Sequence, residues 1–377
     1  MDAHKVPPLS AVGQLAGLLD SPEIAALVSE LEATRWTGRP GYPLRSLVGM
    51  ALVKSVYAIP TWTRTVALVR EHEALRAAIA DTQQVPSVYA CYRFTAKLRA
   101  HSHLLDACID SVTASLHAQL PELGRNIAID GSDMPAYANG QRFVSKGGRE
   151  RADSEFSDPD ASWGHRSAVS TRKGGGFYGY KLDMAVCTAT DLPLAWNVRT
   201  ARDNESVHAL PLVDKAHGRG FAVETAAMDK GYDLTAIYDG CEARDVRPII
   251  PFRQTPGVKL GQHKPPTCEH GTGGSPDQTL SAARASGVAR PASASPPPSW
   301  IKADRLHPLI PRETPRFTAL YRRRASVERE FGRLKNEWAL APLRVRGLDR
   351  VRLHADLTIL AKLACALSRA RAVPLAA

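Results

Sequence analysis

No apolar run in this sequence is long enough to span a bilayer: the longest near the C-terminus, Leu353 to Leu367, is interrupted by Asp356 and Lys362. The start, Met1 to Leu9, lacks the basic-then-apolar order of a secretory signal, so export is not expected. The six cysteines (Cys91, Cys108, Cys187, Cys241, Cys268, Cys365) have no framework spacing, which excludes a disulfide scaffold and fits reduced thiols in a cytosol. Acid is in the minority: 38 Asp+Glu against 49 Lys+Arg leave a net charge of +11, which favours a polyanionic partner. What is present is a folded, soluble composition of 377 residues, 44% hydrophobic and 23% charged, long enough for two or three domains.

The chain divides into regions of different periodicity. Residues 1–120 are expected to be all-α, with apolar residues at three- and four-residue steps in Ile24–Leu31, Leu44–Tyr57, Val66–Ile79 and Leu104–Leu116. Pro60 and Thr61 break the second from the third, and Thr61 or Thr63 caps the helix that follows. Such a break with Lys54, Arg64 and Arg70 nearby suits a DNA-reading unit and equally suits an ordinary bundle.

From Asn126 the pattern changes to an α/β order. Ile127–Asp130, Tyr178–Cys187 and Leu192–Thr200 read as strands, the last two joined by Thr190 and Asp191. Glu205–His217 reads as a helix, Val223–Met228 as a strand ending in Asp229, Leu234–Ala243 as a helix and Val246–Pro251 as a strand. The polar stretch Arg142–Gly176 is expected to be a mobile loop. Residues 254–315 form an insertion or linker, and 271–299 are almost wholly Ala, Ser, Pro, Gly and Thr, which cannot support a core. Helices resume over Phe317–Trp338 and Val351–Arg371, where Tyr321–Arg371 holds 13 Lys+Arg and 5 Asp+Glu. Eight of the eleven net charges therefore sit in this one segment.

The helix around Glu328 carries the most specific pattern. With Tyr321 at zero and 100° per residue, Arg324 falls at about 300°, Glu328 at about 340° and Lys335 at about 320°, one narrow stripe. Leu320, Val327, Phe331, Leu334 and Trp338 form a buried face beside it, and Arg322, Arg329, Arg333 and Asn336 fall on the far, solvent side. By periodicity alone this is also the pattern of a solvated helix with an Arg324–Glu328 pair.

Tyr321, Arg324, Glu328 and Lys335 resemble the Y-R-E-K signature of DDE transposases encoded by bacterial insertion sequences. Ile127–Ser132 resembles that family's first-carboxylate strand, Ala227–Asp233 its second-carboxylate motif, Tyr178–Leu182 its second strand, and Arg39–Pro43 with the helix after it the N-terminal helical domain. The resemblance covers nearly the whole chain except about Gly271 to Pro298. It implies an α/β fold: a ribonuclease-H-like core, a mixed five-stranded sheet with helices, spanning 121–253 and 316–375 behind the all-α region. It implies that Asp130, Asp229 and Glu328 are catalytic and hold Mg²⁺ or Mn²⁺, two ions, and that Tyr321, Arg324 and Lys335 meet DNA near the cut. Hard cations prefer such oxygen ligands. Arg329, Arg333, Arg344 and Arg346, with Arg350 and Arg352, would add sequence-independent attraction to phosphates. Asp133, Asp233 and Glu330 are the poorer ligand candidates, Glu330 lying about 200° from Glu328.

The implied function is metal-dependent cleavage at insertion-sequence ends and strand transfer to target DNA, by a homodimer holding two terminal inverted repeats in the bacterial cytoplasm at the nucleoid, with no membrane. Two alternatives stand beside it: an inactive relic that still binds DNA, and a nuclease without strand transfer. The low-complexity stretch departs from the family. It reads as a frame-shifted segment, because the shifted frame permits tryptophans, lysines and a C-x4-C pair that Cys268 and His270 would have joined in a small metal-binding insertion.

Overall fold

In a computed structural model of the protein, the described residues are 11–35, 41–79, 84–141, 152, 155–166, 173–253, 284–287, 299–302 and 304–372. Seven helices open the chain: α1 Ala11–Leu19, α2 Pro22–Ala33, α3 Leu44–Val56, α4 Trp62–Glu71, α5 Glu73–Ile79, α6 Val88–Ala100 and α7 Ser102–Gln119. The expected Val66–Ile79 helix is two helices, because His72 is extended (φ −104°, ψ 100°) and ends α4. Thr61 caps α4, its side chain accepting from the Arg64 N–H. The periodicity did not mark α1 or α6. In α6 only Ala90, Cys91, Phe94 and Leu98 are buried while Tyr89 and Tyr92 face outward, and two exposed aromatics blur the apolar stripe.

The sheet is built from β1 Asn126–Pro135, β2 Ser162–Arg166, β3 Gly175–Cys187, β4 Pro193–Thr200, β5 Thr225–Ala227 and β6 Arg247–Ile249. Its order is β2-β3-β1-β5-β6, with β4 also on β3. The 13-residue β3 pairs antiparallel with β1 on one edge. Its other edge is shared end to end, β2 on Gly175–Gly179 and β4 on Tyr180–Val186. β5 and β6 run parallel to β1. Without β2 the order is β4-β3-β1-β5-β6, the mixed five-stranded sheet of a ribonuclease-H-like core.

Two expectations are corrected here. The stretch Arg142–Gly176 is not simply a loop: β2 lies inside it, and buried Asp158 accepts from the Tyr180 hydroxyl (2.6 Å) and the Gly347 N–H (3.1 Å), which pins this part to the start of the last helix. Asp130 does not end its strand either. β1 continues to Pro135 because β3 offers partners along its whole length.

Helix α8, Ser206–Gly218, packs on β3 and β4, and α9, Thr235–Glu242, lies between β5 and β6 in the chain and packs on β6. The expected Phe317–Trp338 helix is two, α10 Pro315–Arg322 and α11 Ala325–Glu337. No Gly or Pro marks the break, which falls where Arg324 turns toward β1. Helix α11 packs on β1 and β3 through Val327, Phe331 and Leu334. The final helix α12, Leu348–Ala372, touches α1, α3, α6 and α7 on one side and β4 on the other. Its apolar residues run almost all round, as a helix sandwiched between two layers requires. One apolar core therefore runs from the N-terminal helices into the sheet.

Among the described residues no helix is long and apolar enough to cross a membrane. Arg284–Gly287 (β7) pairs antiparallel with Ser299–Lys302 (β8) as a separate two-stranded ladder. Cys268, His270 and most of the expected frame-shifted stretch lie outside the described residues.

Candidate active site

The parallel pairing of β1 with β5 stops at Ala128 and Ala227. Two residues further along each chain stand Asp130, still within β1, and Asp229, just past the end of β5, so the two carboxylates flank the end of that ladder at the same level. Asp229 begins a short 3₁₀ turn, Lys230–Tyr232, and its side chain accepts from the Gly231 N–H at 2.6 Å. Asp130 accepts from the Gly131 N–H at 2.8 Å. Gly131 is required by close approach: a Cβ there would stand 2.6 Å from Asp183 Oδ1 and 3.2 Å from the Glu205 carboxyl carbon.

Arg324 brings the third carboxylate in. Its Nη1 donates to Asp130 Oδ2 at 2.9 Å and its Nη2 to Glu328 Oε1 at 2.5 Å. The guanidinium thus bridges two acids 194 and 4 positions away in the chain. Burial opposes its charge, yet Asp130 and Glu328 together hold it above the usual arginine range. Glu328 itself remains exposed. Glu330, two residues on, is fully buried on Lys362 at 2.5 Å, so α11 separates the two glutamates onto opposite faces as its period requires.

The electrostatics around Asp130 are lopsided. Burial pushes its carboxyl up to about 7; Arg324 and the Gly131 N–H pull it down, while Asp229 and Glu205 add to the rise. Beneath lie groups the sequence reading did not single out. Asp183 is buried and paired with Arg199, and Glu205 pairs with Lys181. The Tyr232 hydroxyl is buried with no hydrogen-bond partner among the described residues. Burial and the charges of Asp130, Asp183, Glu205 and Asp229 hold that phenol well above its ordinary value. The available signal for Asp183 was a lone acid inside the apolar run Leu182–Cys187, and for Glu205 its place at the head of a helix.

Among the described residues no three His, Cys, Asp or Glu side chains form a ready metal-holding group. The donor chemistry nevertheless fits a hard cation. Every candidate ligand is a carboxylate oxygen, burial and the neighbouring Asp229 and Glu205 keep the Asp130 carboxyl raised in spite of Arg324, and the Tyr232 hydroxyl is left without a partner among the described residues.

The other expected residues are dispersed. Lys335 Nζ donates to Ser132 Oγ (2.7 Å) and the Asp133 carbonyl (2.6 Å), fastening α11 to the later half of β1. Tyr321 lies on α10, stacked on Phe317 with ring centres 6.0 Å apart, and the Arg324 guanidinium stands 5.9 Å from its ring centre. Arg329 and Arg333 lie on the expected solvent side, and both also pair with Asp191 at the β3–β4 turn, at 2.7 and 2.9 Å. Arg344 and Arg346 lie over the Tyr137 ring, well along from Asp130. The acids ranked as poorer ligands are each engaged elsewhere, Asp133 with Arg166, Asp233 with Arg305 and Arg312, and Glu330 with Lys362.

Residues 122–363 match the family model described as "Transposase DDE domain". No curated protein matches the chain.

Proposed function

The chain belongs to the DDE transposase family, and on that premise we propose that it cuts DNA at the ends of an insertion sequence and joins the freed 3′-hydroxyls to target DNA. Asp130, Asp229 and Glu328 would hold the divalent ions, Mg²⁺ or Mn²⁺. When bound, such ions supply Lewis-acid neutralisation of phosphate charge, activation of the attacking oxygen and stabilisation of the leaving one. The observation that carries this reading is the level placement of Asp130 and Asp229 at the end of the β1–β5 ladder, with Arg324 drawing Glu328 to Asp130.

Each protein group has a role that follows from its contacts. Asp130 and Asp229 are fixed by backbone N–H donors, so their free lone pairs are oriented before anything binds. Arg324 compensates Asp130 and Glu328 in the free protein. A scissile phosphate would compete for that same guanidinium, and an Arg324 turned to the phosphate would leave both carboxylates free to hold the divalent ions. Lys335 keeps α11 in register with β1, so that Glu328 stays close to Asp130. Two ends cut in concert call for two active sites, hence a homodimer on DNA carrying terminal inverted repeats, acting at the bacterial nucleoid.

Strand cleavage on the element's end DNA with Mg²⁺ or Mn²⁺ tests the reading. Cleavage by the wild type that falls by about three orders of magnitude in Asp229→Asn supports it, a loss comparable to removing a transition-state stabiliser. Asparagine still accepts from the Gly231 N–H, so the turn survives the substitution. Binding without cleavage under either metal overturns it in favour of a DNA-binding relic.

A further inference from the structure

A cleft of about 460 Å³ opens between the N-terminal helices and the head of α12. Its cations come from three separate parts of the chain: Lys54 on α3, Arg99 on α6, and Arg344, Arg346 and Arg350 at the entrance to α12. The described residues that line it include no Asp or Glu. Elsewhere in the molecule, cations at element junctions find a carboxylate: Arg219 has Asp110, Arg244 has Asp214, Arg371 has Glu23. Here Lys54, Arg99, Arg344 and Arg350 have no acidic partner among the described residues. Burial pushes the Lys54 ammonium down to about 8, the mark of a cation desolvated without an anion. Converging like charges raise the energy of the folded chain unless an anion joins them.

The aromatic lining narrows the chemistry. The Tyr137 ring, 45% exposed, has the Arg344 and Arg346 guanidiniums 5.2 and 5.1 Å from its centre, and Arg346 Nε donates to the Tyr137 carbonyl at 2.6 Å. Tyr92, 55% exposed, lines the cleft from α6, and the buried Trp62 lines it with the Lys54 ammonium 5.9 Å from its ring centre. Phosphate-binding cations interleaved with open aromatic faces are what a nucleic-acid strand requires. The volume suits one nucleotide-sized ligand and not a duplex.

We propose that this cleft binds an unpaired nucleotide of a DNA strand, its phosphate on the arginines and its base against Tyr92 and Tyr137. The inference rests on the reading of the protein as a DNA-acting enzyme, but it concerns a separate site. Tyr137 follows β1 seven residues after Asp130, at most about 25 Å away by chain length. β1 therefore sets the spacing between the carboxylates and the cleft. A strand held at Asp130 reaches Tyr137 within the same bound segment.

The test is fluorescence anisotropy with the full-length protein at fixed salt, comparing labelled blunt duplex with the same duplex bearing a short single-stranded extension. The extension is expected to tighten binding about tenfold, the stacking of one base. Tyr92→Ala and Arg344→Ala, both at exposed positions, should each remove most of that gain; in Tyr92→Ala blunt-duplex affinity should stay within about twofold, and Tyr92→Phe should keep the gain. Loss of the gain in millimolar mononucleotide but not in the same concentration of inorganic phosphate supports recognition of phosphate and base together; full competition by phosphate alone overturns the aromatic part of the proposal. Wild-type cleavage with no preference for the extension overturns the cleft and leaves the proposed function standing. A preference lost in both variants, in a protein that cleaves under neither metal, supports the cleft and overturns the function.

Discussion

Strand β1 and the residues just after it join two regions of opposite chemistry. Near Asp130, acids from four elements gather, Asp130, Asp183, Glu205 and Asp229, and arginines and lysines answer only part of their charge. Around Tyr137, five cations gather and the described lining holds no acid to answer them. Away from both, several buried or half-buried charges are paired: Glu330 with Lys362, Asp191 with Arg329 and Arg333, Glu23 with Arg371. At each of the two unbalanced regions a ligand of opposite sign is expected, a cation at one and a phosphate at the other. At paired sites a lost charge should cost stability; at the two unbalanced sites it should cost function while stability holds or rises.

The largest stability effect belongs to a paired site. Lys362→Met strands the buried Glu330 carboxylate and should destabilise the fold by about 3 kcal/mol or more, measured by denaturant unfolding. A loss under about 0.5 kcal/mol would break the contrast. At the basic cleft the sign should reverse. Lys54→Met removes a desolvated, unpaired ammonium and should raise stability by about 1 kcal/mol at pH 7 while weakening binding to extended DNA. Destabilisation there would mean the lysine has a structural role.

The smallest effect is a pH dependence at the Glu23–Arg371 pair between α2 and α12. Burial raises the Glu23 carboxyl, but Arg371 and Ser115 outweigh it and hold it at about 2, below its usual 4.5. A depressed acid contributes stability above its unfolded pKa, and that contribution is lost as pH falls from about 5 toward 2. Glu23→Gln should flatten this acid limb by about 1 kcal/mol, read from thermal midpoints at pH 3 and pH 6. An unchanged acid limb would remove the pair from the contrast.

How much of this was legible in the sequence follows from the range of the interactions. Local pattern sufficed for the existence of the strands carrying or preceding Asp130 and Asp229, for the apolar face of α11 and for the Thr61 cap, but not for the end of β1, which β3 extends to Pro135. Glu328 and Arg324 were visible because they sit four apart on one helix face. The break between α10 and α11 was hidden, since it coincides with a contact to Asp130 in a different element. The occupation of Arg329 and Arg333 by Asp191 was hidden for the same reason: periodicity reports which way a side chain points and not what stands there. β2 escaped notice because Ser162–Arg166 is half polar and borrows its stability from β3. The basic cleft was half visible. Arg344 and Arg346 stood out as charge, but Tyr92, Arg99 and Lys54 reach them only through the packing of α12 against α3 and α6.

The central proposal is that Asp130, Asp229 and Glu328 hold a cation, with Arg324 occupying Asp130 and Glu328 until DNA binds. Mn²⁺ uptake by the full-length protein, followed by the loss of the free-ion electron-paramagnetic-resonance signal with and without end DNA, tests it most directly. Uptake in the wild type that strengthens when DNA engages Arg324, and that is lost in Asp130→Asn and in Asp229→Asn, is the expected result. Equal uptake in wild type and both variants, or none in the wild type with DNA bound, would contradict it.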